Sequence, residues 1–240
     1  DDVESRTSVG ASTLSEFEND KREPRLPQLK ELADLYRRAT SFFLDDGPLP
    51  REIVLWRQKP KSPNAEELQS QLLRLGEQYH LLESWCGSPE GPEIPFATGT
   101  GESFGYQQAE KLAHDFRNMH GLGERPGQSL LRVVEEICKV KVFHMAFEPS
   151  GSAACTLNES FGAAILLNSN NVRWRRNFDL AHELFHLLTW KVFRTPGEES
   201  FAEATAKEEK LATCFARNLL MPQEPLRIAI DSQLGAKTSL

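Results

Sequence analysis

The stretch Asn177–Thr189, NFDLAHELFHLLT, organises the chain, and its centre is His182-Glu183-Leu184-Phe185-His186. On a helix, residues four apart share a face, so the two imidazoles can converge on one ion. Zinc takes neutral nitrogen or anionic ligands at roughly 2.0–2.1 Å and keeps a position open for water in working sites. A neighbouring carboxylate, here Glu183, can then accept that water's proton. The alternative is a chance match on an ordinary helix. Leu180, Leu184, Leu187 and Leu188 follow helical spacing and bury the segment, leaving two histidines and a glutamate on an otherwise apolar element. Three such groups are costly to bury without a shared partner, and a metal ion is the simplest one.

A third ligand is expected from a second helix packed across the first, within Glu199–Pro222, ESFAEATAKEEKLATCFARNLLMP. Leu211, Phe215 and Leu219 form a stripe at i, i+4, i+8, and Ala212 and Ala216 are small enough for close helix approach. Glu209 precedes Ala212 by three residues and Ala216 by seven, which puts it on the small-residue side. It is the first choice for the ligand, with Glu208 and Glu203 behind it. The competing reading is a solvated acidic first half of a helix.

Together these residues resemble the ImmA/IrrE-type metallopeptidases. Arg175-Arg176-Asn177-Phe178-Asp179-Leu180-Ala181-His182-Glu183-Leu184-Phe185-His186-Leu187-Leu188 is similar to that family's R-x-F-x-x-A-H-E-x-x-H-L-L run, which contains the H-E-x-x-H pattern of zinc peptidases. Glu209-x-x-Ala212-x-x-Phe215-Ala216-x-x-Leu219-Leu220-Met221-Pro222 is similar to its E-x-x-A-x-x-F-A-x-x-L-L-M-P helix. The resemblance implies Zn²⁺ held by His182, His186 and Glu209, with Glu183 as catalytic base. The chain departs from the family pattern at Phe185, where glycine is usual, and at Thr213, where asparagine or aspartate is usual. Phe185 sets a bulky ring in the turn between the ligands, where it would bear on metal access.

The net charge of −7, from 28 basic and 35 acidic residues, argues against wholesale coating of nucleic acid, so any DNA contact has to be local. No run of about 18 apolar residues exists, and the first residues are acidic with no apolar signal core. Neither a membrane span nor a secretory signal is therefore expected. Cys86, Cys138, Cys155 and Cys214 are widely and irregularly spaced, which fits reduced thiols in a cytoplasmic protein better than a disulfide scaffold or a zinc ribbon.

Residues 1–48 carry a second pattern. Ser12–Glu18 reads as a short amphipathic helix, Asn19–Arg25 as a polar turn, and Pro27 as the opening of a helix through Leu29, Leu32, Ala33 and Tyr36. Phe42, Phe43 and Leu44 are expected to close a small core. The stretch VGASTLSEFENDKREPRLPQLKELADLY resembles the recognition-helix half of an Xre-type helix-turn-helix, whose second helix enters the major groove. Such a five-helix domain needs roughly twenty residues before that helix and only about ten are present, so a partial domain is expected. The resemblance makes Ser12, Thr13, Ser15, Lys21 and Arg22 candidates for DNA contact. Seven Lys/Arg against eleven Asp/Glu in residues 1–48, a net −4, suit phosphate poorly. A helical docking module that reads no bases is the alternative.

Residues 49–101 read as a connector holding one helix, Ala65–Cys86, followed by a Gly/Pro/Ser-rich loop, Gly87–Gly101, at the domain boundary. The catalytic domain is expected over 102–240. It has helices at Tyr106–His120 and Ser129–Cys138, then strands at Val140–Phe147, Ala153–Leu157 and Phe161–Leu167, bounded by Gly151 and Gly162. In zinc peptidases of this general kind a sheet edge beside the metal helix holds the substrate as an added strand. By resemblance Gly162–Asn168 is that edge, with Gly162, Ala163, Ala164 and Ile165 touching substrate; an ordinary core strand is the alternative. Arg173, Arg175 and Arg176 read as solvated surface or as a grip on a substrate carboxylate.

The expected fold class is α+β: a zincin-like domain with a small mixed sheet, preceded by an all-α helix-turn-helix remnant and a helical linker. The expected activity, by resemblance, is site-specific cleavage of a protein partner, typically an Xre-type transcriptional repressor. The alternatives are a DNA-binding regulator whose peptidase-like domain binds without cutting, and a toxin–antitoxin or phage-immunity partner using the same chemistry.

Overall fold

The computed structural model describes residues 2–36, 38, 40–44, 52–61, 64–87, 91–148, 153–194 and 203–235. Gly151 as a strand boundary and residues 199–202 of the second helical stretch lie outside them. The chain divides into two compact units, Asp1–Pro50 with Ser62–Pro89, and Arg51–Lys61 with Glu90–Leu240. The expected connector over 49–101 is thus shared between the units, because part of it is a strand.

The first unit is helical: α1 (Asp2–Arg6), α2 (Ala11–Glu18), α3 (Leu26–Tyr36), a 3₁₀ turn at Thr40–Phe43, and α4 (Asn64–Trp85). Leu29, Leu32 and Ala33 of α3 and Ala65, Leu68, Leu72 and Leu73 of α4 are buried. The Ser8 amide donates to Glu31 at 2.6 Å, and Arg38 pairs with Glu77 at 3.2 Å. Phe42 and Phe43 stack edge-on at 5.4 Å, but Leu44 is 67% exposed and does not join the small core expected of it. It follows the 3₁₀ turn, where the chain has stopped presenting one face inward.

The second unit is built on a four-stranded mixed sheet in the order β1-β3-β4-β2. Its strands are β1 (Val54–Trp56), β2 (Lys141–Met145), β3 (Ala153–Asn158) and β4 (Gly162–Asn168). β1–β3 and β3–β4 are antiparallel and β2–β4 is parallel. β3 and β4 form a hairpin in which Asn158 Oδ1 accepts from the Ser160 amide at 2.7 Å. Gly162 has φ +83°, and a Cβ there would meet Pro92 Cδ at 3.0 Å, so the turn requires glycine. β4 is flanked by β3 on one side and β2 on the other, which corrects the expectation that Gly162, Ala163, Ala164 and Ile165 line an open edge. The last three are fully buried, as a continuous apolar run demands of an interior strand.

The helices of this unit are α5 (Tyr106–Met119), α6 (Leu130–Arg132), α7 (Arg173–Leu188), α8 (Trp190–Phe193), α9 (Ala206–Leu220) and α10 (Gln223–Gly235). The helix expected over Ser129–Cys138 runs from α6 into a wider π-turn at Val133–Ile137, where the Cys138 amide reaches back five residues to the Val133 carbonyl at 2.9 Å. α7 lies on β3 and β4, and α9 packs between α5 and α7. Ala212 and Ala216 are fully buried, as close helix packing requires. No helix among the described residues is long and apolar enough to cross a membrane.

Candidate metal centre

Every residue of α7 from Asp179 to Leu188 is buried. A helix apolar on all sides is a core helix, and the polar residues on this one each need an internal partner. His182 and His186, one turn apart, bring their rings to 5.2 Å between centroids. α9 supplies the facing acid. It starts at Thr205, whose hydroxyl accepts from the Glu208 amide at 3.2 Å while the Glu208 carboxylate accepts from the Thr205 amide at 3.1 Å. This reciprocal cap fixes the first turn and thereby the directions of Glu208 and Glu209.

Glu209 reaches both rings: Oε2 lies 3.1 Å from His182 Nε2 and Oε1 lies 3.3 Å from His186 Nε2. One ligand atom from each of His182, His186 and Glu209 falls within 4.8 Å of the others. Ligands at about 2.0–2.1 Å from a tetrahedral ion stand about 3.3 Å apart, so both separations fit a zinc ion at the centre of the cluster. The orphaned atoms agree. His186 Nε2, Glu209 Oε1 and both oxygens of Glu183 are buried without a hydrogen-bond partner. The residues present therefore fit a metal of the zinc class.

Glu208, second in order as a ligand from sequence, takes another place. Its Oε1 stands 3.7 Å from His186 Nδ1, on the far side of the ring from Glu209, and 2.9 Å from Arg194 Nη1. A carboxylate behind a ligating imidazole orients the ring and raises its basicity. Glu203 is exposed and stands outside the cluster. Arg194 carried no sequence signal, but the Thr205-Ala206-Lys207-Glu208 capping pattern was there to be read.

Asp179, one turn before His182, is fully buried and forms ion pairs with Arg57, at the end of β1, and with Arg175 Nε at 3.2 Å; it also accepts from Asn171 Nδ2 at 3.0 Å. Arg176 donates to the carbonyls of Ser169 and Asn171, both at 3.2 Å. Arg175 and Arg176 are thus structural ties rather than solvated surface. Phe185 is fully buried, with ring centroids 5.8 Å from His186, 6.1 Å from Phe104, 6.4 Å from Phe193 and 5.6 Å from Phe215. It fills an aromatic core behind His186 and is not among the residues lining the cleft.

Burial sets the acid–base character of the cluster. It pushes His182 down to about 4. It would push His186 down too, but contact with Glu208 and then Glu209 outweighs it and holds that ring at about 9. Burial works to raise Glu209, yet the two histidines bring it down to about 2. Glu183, which forms no ion pair among the described residues, is raised by burial to about 8 against the pull of His186, and the buried Cys155 thiol of β3 sits beside it. A glutamate poised there can take up and release a proton near neutral pH.

A cleft of about 870 Å³ opens onto His182 and Glu209, with Arg57, Lys210 and Arg217 among its walls. In the first unit, Ser12, Ser15, Lys21 and Arg22 are exposed and Thr13 is half-buried. Arg22 pairs with Glu16 at 3.5 Å. Comparisons of the chain with curated proteins and with solved structures find no match. Residues 135–236 match the sequence profile of the Peptidase_M78 family, described as an IrrE N-terminal-like domain, and that match supports a metallopeptidase-type domain around the cluster.

Proposed function

We infer that the second unit is a zinc-dependent, site-specific endopeptidase acting on a protein partner, in keeping with its resemblance to ImmA/IrrE-type enzymes a transcriptional repressor of the Xre type. The observation that carries this reading is the fully buried Glu183, with only the weak Cys155 thiol against its carboxylate, beside two buried imidazoles bridged by Glu209. His182, His186 and Glu209 would hold the ion, which when bound supplies Lewis-acid activation of water and of the scissile carbonyl.

The chain's own groups do the rest. Glu208, braced by Arg194 and by the cap of α9, holds the His186 ring in place. Glu183 takes the proton released by the attacking water and delivers it to the leaving amine. β1 ends the sheet among the described residues, and Arg57 and Gln58, which follow it, line the cleft. A substrate strand therefore finds its open edge at β1 rather than β4.

The test is a comparison of new protein N-termini by mass spectrometry in host cells producing the wild type or Glu183→Gln. A small set of termini dependent on Glu183, in a DNA-binding partner, is expected. The same termini in both cultures would leave the non-cleaving regulator as the better reading. Contact with DNA through Ser12, Thr13, Ser15, Lys21 and Arg22 belongs to this proposal as a property of the first unit, supported by the exposure of four of the five.

A further inference from the structure

Two helical stripes leave the histidine cluster side by side. On α7 they are His182, Phe178 and Trp174, and on α9 Glu209, Thr213 and Arg217, each spaced by four residues. The helices run in opposite directions. His186 meets Glu208 at one end, and Phe178 and Trp174 stand across a pocket from Thr213 and Arg217 at the other.

That pocket, of about 560 Å³, adjoins the cleft above the cluster and shares Arg57, Arg175, Thr213 and Arg217 with it. Its volume lies in the roughly 300–1,000 Å³ range of ligand sites. Its apolar lining is Trp174, Phe178, Leu220 and Met221, and two of these are unusually open for their type, Trp174 at 69% and Met221 at 48%. Its rim is cationic. Arg57 and Arg175 both pair with Asp179, while exposed Arg217 has no acidic partner among the described residues, and Lys210 adds to the cleft. The acids of the cleft are Glu110 and Glu209, and Glu209 is committed to the cluster.

We propose that this groove selects the substrate: an extended peptide segment with a bulky apolar side chain seated against Trp174 and Phe178 and an acidic side chain beyond it on Arg217. The proposal rests on the peptidase reading above and adds the register. Each step of four residues along a helix advances about 6 Å, and an extended chain advances about 3.3 Å per residue. The apolar side chain, lying between Phe178 at one step and Trp174 at two, thus falls about two to three residues from the cleaved bond and the acidic one, at two steps, about three to four, on the same side of it.

The probe is a set of fluorescein-labelled Gly/Ser decapeptides holding one Phe and, two residues further, one Asp, with Phe→Ala and Asp→Lys versions. Binding to zinc-loaded Glu183→Gln protein is followed by anisotropy. The Phe/Asp peptide is expected to bind, and loss of either side chain to weaken it about tenfold, in line with the burial of one aromatic group. Arg217→Glu should invert the preference between Asp and Lys, and Trp174→Ala should abolish discrimination between Phe and Ala, each with an unchanged circular dichroism spectrum. Equal binding of all peptides, preference for Lys by the unaltered groove, or binding of none overturns the proposal. The wild type is then given a mixed peptide library, and its cut sites are read by mass spectrometry. Cutting without the apolar and acidic pattern defeats the groove and keeps the peptidase; patterned binding without cutting defeats the peptidase and keeps the groove.

Discussion

The histidine cluster and the helical N-terminal unit are opposites in what their side chains cost. Around α7 and α9, two imidazoles and the carboxylates of Asp179, Glu183 and Glu208 are buried, Glu209 closes the cluster from the cleft, and several of these groups' atoms lack partners. On α2 no residue is buried at all, and four of the five groups expected to touch DNA are exposed, one of them already paired with Glu16. Burial of unpaired polar groups carries a penalty of a few kcal/mol apiece, so their survival in the core is informative. Solvated side chains carry no such penalty, and their positions record little about a ligand.

The sharpest way to break this contrast is at Glu183. Replacing it with Gln is expected to lower kcat/KM by roughly 10²–10⁴-fold, the contribution of a positioned proton-transfer group. Bound zinc, measured by elemental analysis, should stay at one ion per chain. Loss of the ion instead would make Glu183 a ligand.

Next in size is the difference between adjacent glutamates. Glu208→Gln should weaken zinc binding by about 10–100-fold, as removal of a ligand's outer partner does, and Glu209→Ala by more than that. Competition with a chromophoric chelator measures both. Equal losses would erase the distinction between ligand and brace.

A smaller effect follows from protonation. A metal ion takes only the neutral imidazole, and His186 holds its proton up to about pH 9 in the metal-free protein, after burial has been outweighed by Glu208 and Glu209. Zinc binding at pH 7 must therefore release that proton, and affinity should fall about tenfold for each pH unit below 9. Calorimetry in two buffers of different ionisation heat counts the protons. Glu208→Gln should reduce the release at pH 7, because one of the two carboxylates that hold the proton is gone.

The smallest effects belong to the first unit. Lys21→Ala and Ser15→Ala should change stability by no more than about 0.5 kcal/mol, as exposed substitutions do. If α2 and its turn meet DNA, Lys21→Ala reduces the salt dependence of binding by about one ion. An unchanged salt slope in a binding titration would remove Lys21 from any interface.

The interior of the second unit was legible because its signals are periodic. The i, i+4 histidines, the Leu180–Leu188 spacing, the alanines of α9 and the apolar runs of β3 and β4 each have one burial solution. β1 was hidden: three residues, Val54–Trp56, are too few to show an alternation, and only pairing with β3 makes them a strand. The family profile begins at residue 135 and so also leaves out β1 and α5, although α5 packs on α9, which carries Glu209. Misreading β4 as an edge has the same origin, since the sequence of a strand does not say how many neighbours it has.

What the amino-acid order determined alone is local: which residues share a helix face, where α9 is capped, which runs must be covered. Helix spacing already favoured Glu209 for the inner side of the cluster, but that Glu208 stands behind the His186 ring was decided by tertiary packing. Glu208 and Glu209 are adjacent and chemically identical, separated only by about 100° of helix rotation. The depth at which α9 docks on α7, set by Ala212 and Ala216, with Arg194 arriving from beyond α8, turns that rotation into two different roles.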